Sequence, residues 1–465
     1  MTNKEIQSQR ELVCLDASQW GDYAGRFPEL LQLSLPLVIT FVSHVIMGMV
    51  DTFVMGKVGT AEQGGVGLGA AFFWSISSFA SGVLSVVTTF VAQAHGAQDS
   101  VDVRKAVETG MILVIPLSVL LVGLIPLLPF VQNRLHLHQD ILVPMSVYLR
   151  WMLWASPLFL LNFTIIGFFR GIGDTITPMI ITLAINIVNV ILDFALVLGW
   201  WGLPRMGVHG VALATVISMA IASIAYVVVY VSSRHHSEFC TRRLPRTHMV
   251  QVQRFLRIGI PIGISWLLEN MAFMVMTLYI GRFEPALSAA NTIVFQLCHV
   301  SFMPAVAISI AASALVGRYI GALRSDLARA SAHRTVLLSV SYMGVLGLIF
   351  LLFPRELLSV FTSDDTVIHH AALPLRMAAI FQIFDALGVA TDGIFRGAGI
   401  TWMPMFIRLA VMWGIFVPGM FFMHEFVFSS PLDAGWAAGT SAIVVMGCVL
   451  LVLYVLYPWW EKGRV

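Results

Sequence analysis

Apolar runs of about 20 residues or more recur along the whole of this chain. Each run is long enough to cross a hydrocarbon core about 30 Å thick at a rise of about 1.5 Å per residue. Of the 465 residues, 58% are hydrophobic and 11% are charged, whereas about 25% of the residues are charged in soluble domains. Apolar runs of this length are typical of transmembrane α-helices, so the chain is predicted to be an all-α polytopic membrane protein.

Twelve membrane-spanning helices are predicted. The first 27 residues carry several charges and no apolar stretch followed by a small-residue cleavage site, so no cleavable signal peptide is expected. The predicted spans cover residues 29–55, 66–93, 106–129, 141–169, 177–200, 207–232, 255–280, 286–316, 335–353, 373–395, 402–423 and 434–457.

The distribution of basic residues predicts the orientation of the chain. With the N-terminus inside, 19 of the 27 basic residues lie in cytoplasmic segments and five lie in the opposite loops. The positive-inside rule then places both termini in the cytoplasm, in a multi-pass protein of the plasma (inner) membrane. A polar stretch near the middle separates two predicted lobes. The predicted organisation is an N-terminal segment 1–27, an N-lobe 28–232, a linker 233–254, a C-lobe 255–457 and a tail 458–465.

The two halves of the chain are similar in sequence. A shift of 225 residues superposes Pro36 on Pro261, and a shift of 226 superposes Arg170-Gly171 on Arg396-Gly397. Because six spans is an even number, both copies enter the membrane from the same side, and a pseudo-two-fold axis along the membrane normal is predicted to relate the lobes. Two such lobes can rock about a central cavity. We therefore expect a secondary transporter that works by alternating access.

Five acidic residues are predicted to lie inside the spans: Asp51, Asp193, Glu269, Asp385 and Asp392. An ionisable group at mid-bilayer depth costs roughly 2.5–3.5 kcal/mol on insertion scales, so each is a candidate for a functional site. Asn186, Asn189 and Asp193 occupy one stripe of a helix at i, i+3 and i+7. Such oxygen ligands suit a monovalent cation, and a desolvated carboxylate can equally hold a proton. Both H⁺ and Na⁺ remain open.

Other interpretations apply to the same residues. Each carboxyl group can instead be a structural hydrogen-bond hub, or can reach water near the end of its span. Asp392, four residues before Arg396, is expected to be a solvated or salt-bridged residue at a span end. The four cysteines lie far apart, so neither a disulfide framework nor a metal cluster is expected. The net charge of +2 favours no nucleic-acid partner.

The chain resembles the multidrug and toxic compound extrusion (MATE) family over roughly residues 28 to 440. The resemblance rests on motifs in order: Pro36 followed by Val50-Asp51-Thr52 and Gly56, Gln93-Ala-His-Gly96, Arg170-Gly171 with Pro178, Gly210-Val-Ala-Leu-Ala-Thr215, Ala289-Ala290, and Arg396-Gly397 with Pro404. It implies cation-coupled export of organic, often cationic or amphipathic, compounds rather than an enzymatic reaction.

The resemblance also implies cation-binding residues. The N-lobe site of the family is similar to Asp51, Asn189, Asp193 and Thr215, where Na⁺ is a possible ligand. Glu269 and Asp385 match the C-lobe carboxylates of the NorM-like branch, while the stripe on the fifth span is more like the DinF-like branch. The partners implied are small organic substrates and the lipid bilayer. We expect no cofactor apart from the coupling ion, H⁺ or Na⁺, and a monomeric protein.

Two other functional classes give different expectations. A flippase for lipid-linked oligosaccharides or other lipids, from the same broad superfamily, would have a strongly cationic central cavity. Few basic residues lie inside the predicted spans, and Arg408 is the main exception. An intramembrane enzyme would need a nucleophile with a base, or a metal motif such as HExxH, and the sequence contains no such motif.

Overall fold

The computed structural model describes residues 24–132, 139–239, 241–242 and 249–462, and in these ranges the regular structure is entirely helical. Twelve helices in them are long and apolar enough to cross a membrane. They correspond one by one to the predicted spans, so the predicted fold class is confirmed. Most of the predicted N-terminal segment, part of the linker and the last three residues lie outside the described residues.

We number the spanning helices α1 to α12 in chain order. Their bounds are α1 Phe27–Gly56, α2 Thr60–Gly96, α3 Ser100–Val122, α4 Gln139–Ile172, α5 Ile176–Leu198, α6 Val208–Tyr230, α7 Met249–Ile280, α8 Pro285–Gly321, α9 Ser325–Leu352, α10 Asp365–Gly397, α11 Trp402–Phe426 and α12 Pro431–Leu456. Helix α11 contains a π-helical turn at Met412–Phe416. Short helices lie at Leu128–Gln132, Ser233–Phe239, Pro354–Ser359 and Trp459–Lys462, with 3₁₀ turns at Ile125–Leu127 and Trp200–Gly202.

Matching turns follow α4 and α10. Gly173 has φ +87° and Gly399 has φ +73°, in the left-handed region that glycine enters without a Cβ clash. After the first turn, the Asp174 carboxylate accepts a 3.0 Å hydrogen bond from the Thr177 N–H at the start of α5. These turns lie 226 residues apart, so the structure repeats where the sequence does.

The described residues pack as two compact units. The N-unit comprises Ile39–Ala94 and Asp99–Gly263, and the C-unit comprises the described parts of Met1–Val38, His95–Gln98 and Ile264–Val465. The division falls inside α1 and α7, in each case within three residues after the repeated proline. The lobe bounds 28–232 and 255–457 stay predictions.

Small residues bring helices close together inside each unit. In the C-unit, α10 packs against α8, α9 and α12. A Cβ atom on Gly397 would lie 2.6 Å from the carbonyl oxygen of Ser313 on α8. In the N-unit, a Cβ atom on Gly171 of α4 would contact the side chain of Val91 on α2 at the equivalent position. Glycine therefore lets α10, which carries Asp385 and Asp392, approach α8 with little space between the backbones.

Candidate functional site

The predicted polar stripe of α5 is buried in the N-unit. Asn189 and Asp193 are fully buried, and Asn186 is 8% exposed. The Asn186 amide donates a 2.6 Å hydrogen bond to the hydroxyl of Ser43 on α1. The stripe thus turns inward toward other helices of its own unit, as a period of 3.6 residues requires.

Asp51 of α1 and Asp193 of α5 lie side by side. Their carboxyl groups are within hydrogen-bonding reach of each other. Two ionised carboxylates are both acceptors, so such a bond requires one proton between them. A bound cation would satisfy the same oxygens. The structure therefore brings together the two N-lobe carboxylates that lie 142 positions apart in the sequence.

Two hydroxyl side chains complete this cluster. The Tyr148 hydroxyl of α4 lies beside Thr215 of α6 and is close enough to both carboxylates to interact with them electrostatically. The Thr215 hydroxyl also donates a 2.9 Å hydrogen bond to the Val211 carbonyl, so its oxygen remains available as an acceptor. Thr215 belongs to the predicted set, whereas Tyr148 does not. A single tyrosine in an apolar span carries no sequence signal that distinguishes it from a packing residue.

Several buried polar atoms in this cluster form no hydrogen bond as the side chains stand, since two carboxylates without a proton between them are both acceptors. Within the described residues they are both carboxylate oxygens of Asp193, one oxygen of Asp51, and both amide atoms of Asn189. Buried polar groups are nearly always hydrogen-bonded, and leaving one unsatisfied costs about 1–3 kcal/mol. No Lys or Arg in the described ranges forms an ion pair with Asp51 or Asp193. The oxygens among these atoms fit one small cation, either H⁺ or Na⁺.

The C-unit carries a second group of charged side chains, but it is differently composed. Arg408 of α11 is 7% exposed, and its guanidinium is ion-paired with Glu269 of α7. The same guanidinium lies 3.6 Å from a carboxylate oxygen of Asp392 on α10. The other Asp392 oxygen lies 3.1 Å from Nε of Arg396. Asp392 is therefore salt-bridged, as the sequence led us to expect.

Asp385 lies near this group without joining its ion pairs. It is 8% exposed, and it interacts electrostatically with Glu269 and Arg408. One turn earlier on the same helix, Gln382 donates a 2.8 Å hydrogen bond to Ser301 of α8, while its amide oxygen is buried without a partner. Both Asp385 and Asp392 interact with Arg408, so they share the face that their spacing of seven residues predicts.

Two further contacts hold the C-unit group in place. The Arg396 guanidinium donates a 3.1 Å hydrogen bond to the hydroxyl of Ser309 and lies 5.7 Å from the ring of Trp266. Trp413, inside the π-helical turn of α11, donates a 3.2 Å hydrogen bond to the carbonyl of Leu268, the residue before Glu269. These contacts fix α11 and α10 against α7. The sequence marks Arg408 as an unusual basic residue inside a span, but it does not indicate which carboxylate pairs with it.

The two groups thus differ in charge balance. The N-unit cluster has two carboxylates and no ion-paired base among its described neighbours. The C-unit group has three carboxylates and two guanidinium groups, so all but one of its negative charges are balanced inside the protein.

Comparison with known sequences identifies relatives along nearly the full chain. A family profile described as MatE matches residues 36–195 and 261–422. The probable multidrug resistance protein NorM of Thermotoga maritima is 31% identical over 442 residues, covering 94% of both chains. The multidrug resistance protein NorM of Burkholderia vietnamiensis is 28% identical over 423 residues, covering 89% of this chain and 91% of the relative.

Solved structures with the same architecture are also known. One is described as the outward-facing conformation of a multidrug resistance MATE family transporter of the MOP superfamily. It superposes with a TM-score of 0.85 at 18% identity and covers 94% of this chain and 96% of its own. At this level of identity the likeness shows the fold alone.

Proposed function

This chain belongs to the MatE family of multidrug efflux transporters, and from that premise we propose that it is a secondary antiporter driven by inward movement of H⁺ or Na⁺. It is an integral membrane protein and not an enzyme. Its cargo is organic compounds, often cationic or amphipathic, which enter a central cavity from the cytoplasm or the inner leaflet. Alternating access of the two lobes then carries them outward.

The coupling cation binds at the N-unit cluster. The observation that carries this assignment is the buried Asp51–Asp193 pair: three of its four carboxylate oxygens accept no hydrogen bond, and its charge lacks a base in the described structure. Asn189, one turn before Asp193, and Thr215 supply neutral oxygen ligands. Glu269 and Asp385 stay a predicted second set, and the ion pair between Glu269 and Arg408 makes that set the weaker candidate.

Inward movement of a single cation releases enough free energy to drive export of the cargo against a concentration gradient. One positive charge that moves down a potential of 100 mV releases about 2.3 kcal/mol, which supports a concentration ratio of about fifty. A ligand shifts the balance between inward- and outward-facing states only through its different affinity for the two. Cation binding between α1 and α5 has this effect if their separation differs between the states. Since α1 carries both Asp51 and Pro36, it is our first candidate for the moving element.

Several properties belong to the same proposal. Both termini lie in the cytoplasm, the protein resides in the plasma (inner) membrane, and it works as a monomer without nucleic acid or a cofactor. A flippase would need a free cationic group in its cavity. Arg408, the main basic residue inside the spans, is instead ion-paired with Glu269 and close to Asp392. This neutralisation favours the antiporter.

Efflux from reconstituted vesicles tests the proposal. Na⁺ and H⁺ gradients are imposed separately, and efflux of an amphipathic organic cation such as tetraphenylphosphonium is followed. We expect Asp51→Asn and Asp193→Asn to reduce gradient-driven efflux to the rate without a gradient. The exposed Asp365→Asn is the matched control and keeps the wild-type rate.

Two further variants locate the coupling site. Glu269→Gln and Asp385→Asn are expected to retain gradient-driven efflux. Unchanged coupling in both N-unit variants, or its loss only in the C-unit variants, would contradict the assignment.

A further inference from the structure

The C-unit group is built around a positive charge that the protein itself supplies. Arg408 reaches two carboxylates on two different helices, Glu269 of α7 and Asp392 of α10. A guanidinium stays charged at every pH at which a protein is folded. Two of the three C-unit carboxylates, Glu269 and Asp392, are therefore already ion-paired with it. A second cation close to the guanidinium would also meet strong repulsion in a buried site.

Duplication of the chain does not account for this ion-pair network. The repeat does preserve one contact between a guanidinium and an aromatic ring. The Arg396 guanidinium lies 5.7 Å from the centre of the Trp266 ring, and the Arg170 guanidinium lies 5.9 Å from the centre of the Phe41 ring at the equivalent positions of the N-unit. The charged additions are confined to the second copy. Under the same shifts, Glu269, Asp392 and Arg408 align with residues that carry no carboxylate or guanidinium: His44, Ile166 and Thr182.

The local structure holds Arg408 in this position. Its guanidinium extends from α11 one turn before the π-helical segment Met412–Phe416. Trp413 within that segment is hydrogen-bonded to the Leu268 carbonyl of α7. The same turn therefore ties α11 to the part of α7 that carries Glu269. π-Helical turns commonly mark functional positions in helices.

We propose that the Arg408 guanidinium takes the place of a bound cation beside the C-unit carboxylates. The coupling cation therefore binds and is released only at the Asp51–Asp193 pair of the N-unit. This inference rests on the proposed antiport and states why a chain with acidic residues in both halves uses one of them. Arg408 is a specificity-determining residue, since its removal leaves Glu269 without its ion-pair partner and lets Glu269, together with the nearby Asp385, bind a second small cation.

The test counts cations bound per chain in purified full-length protein. Bound ²²Na⁺ and proton uptake are both measured, so that either coupling ion is detected. Wild type is expected to bind about one cation equivalent, and Asp193→Asn is expected to lose it. If Asp193→Asn still bound the cation, the proposed function would be refuted. This outcome is distinct from the outcome of the Arg408 variants.

The variants of Arg408 test the inference itself. Arg408→Gln is expected to bind about one cation equivalent more than wild type, and the additional Glu269→Gln substitution is expected to remove the gain. Arg408→Lys keeps the charge and is expected to bind as wild type does. A folded Arg408→Gln protein with no added binding would overturn the proposal.

A second measurement does not depend on the folding of Arg408→Gln. If Arg408 already satisfies Glu269, the single substitution Glu269→Gln leaves the number of bound cations unchanged. Loss of a bound cation in Glu269→Gln would show that Glu269 exchanges the ion despite Arg408, and would also overturn the proposal.

Discussion

A pair of equivalent glycines offers a quantitative test of the packing that positions the C-unit group. Gly393 of α10 and Gly167 of α4 are equivalent under the 226-residue shift. A Cβ atom on Gly393 would lie 2.9 Å from the carbonyl carbon of Ser309 on α8 and closer still to its oxygen. A Cβ atom on Gly167 would meet only side-chain atoms, 3.1 Å from Cβ of Val87. The first substitution pushes against a helix backbone, and the second pushes against a side chain.

The expected energies follow from these contacts. In Gly393→Ala, α10 and α8 must separate, and overpacking of this kind costs about 1–3 kcal/mol. The shift also strains the hydrogen bond from Arg396 to Ser309, and a bond to a charged group contributes about 1.5–3 kcal/mol. Replacing glycine by alanine in a helix stabilises the folded state by about 1 kcal/mol through its higher helix propensity. We expect a net loss of about 2 kcal/mol for Gly393→Ala and a change near zero for Gly167→Ala.

Unfolding in detergent, followed by intrinsic tryptophan fluorescence, measures the difference. Both variants carry the same chemical change at equivalent positions, so each is the control for the other. Gly393→Ala is expected to unfold at a lower temperature than wild type and Gly167→Ala. Equal midpoints, or a lower midpoint for Gly167→Ala, would refute the argument that backbone contact at Ser309 fixes α10.

Two other substitutions test individual contacts. Tyr148→Phe removes the hydroxyl beside Thr215 while the ring keeps its packing. The cation concentration for half-maximal transport should rise about fivefold, which corresponds to a loss of about 1 kcal/mol in cation binding. The control is Tyr226→Phe, which removes a buried hydroxyl that is hydrogen-bonded to Thr182 and should leave that concentration unchanged. Glu29→Gln replaces the ion pair with Arg318 by a hydrogen bond from Arg318 to a neutral amide, and should lower the free energy of unfolding by about 1–2 kcal/mol in a denaturant titration. An unchanged titration would show that this ion pair adds nothing.

Hydropathy predicted the number and order of the spans, but it placed some helix ends wrongly. Helix α9 begins at Ser325, ten residues before the predicted span, and α10 begins at Asp365 instead of residue 373. Hydropathy detects only the part of a helix that lies in hydrocarbon, whereas helices continue through polar turns. Asp364 caps the polar start of α10 by accepting a 2.8 Å hydrogen bond from the Thr366 N–H.

Helical periodicity also predicted part of the candidate site. The spacing of Asn189 and Asp193 placed them on one face, and both are buried. Which helices meet is a long-range property that spacing within one span does not contain. For this reason the contact between Arg408 and Glu269, 139 positions apart, was missed. The available signal was the charge itself, because a guanidinium inside a span requires a counter-charge.

The π-helical turn in α11 was missed as well. Its flanking residue Pro418 has no backbone N–H, so the carbonyl of Gly414 cannot receive the usual helical hydrogen bond. A proline inside a span predicts a local irregularity, but not the direction in which the helix adjusts. The hydrogen bond from Trp413 to α7 depends on that adjustment.

The most direct test of the central claim compares two modes of transport in the Asp193→Asn variant. In reconstituted vesicles, exchange of labelled for unlabelled tetraphenylphosphonium at equal concentrations requires the substrate site and the motion of the lobes. Uphill accumulation under an imposed H⁺ or Na⁺ gradient also requires the coupling cation. We predict that Asp193→Asn retains exchange and loses uphill accumulation. Uphill accumulation at the wild-type level in this variant would contradict the assignment of coupling to the Asp51–Asp193 pair.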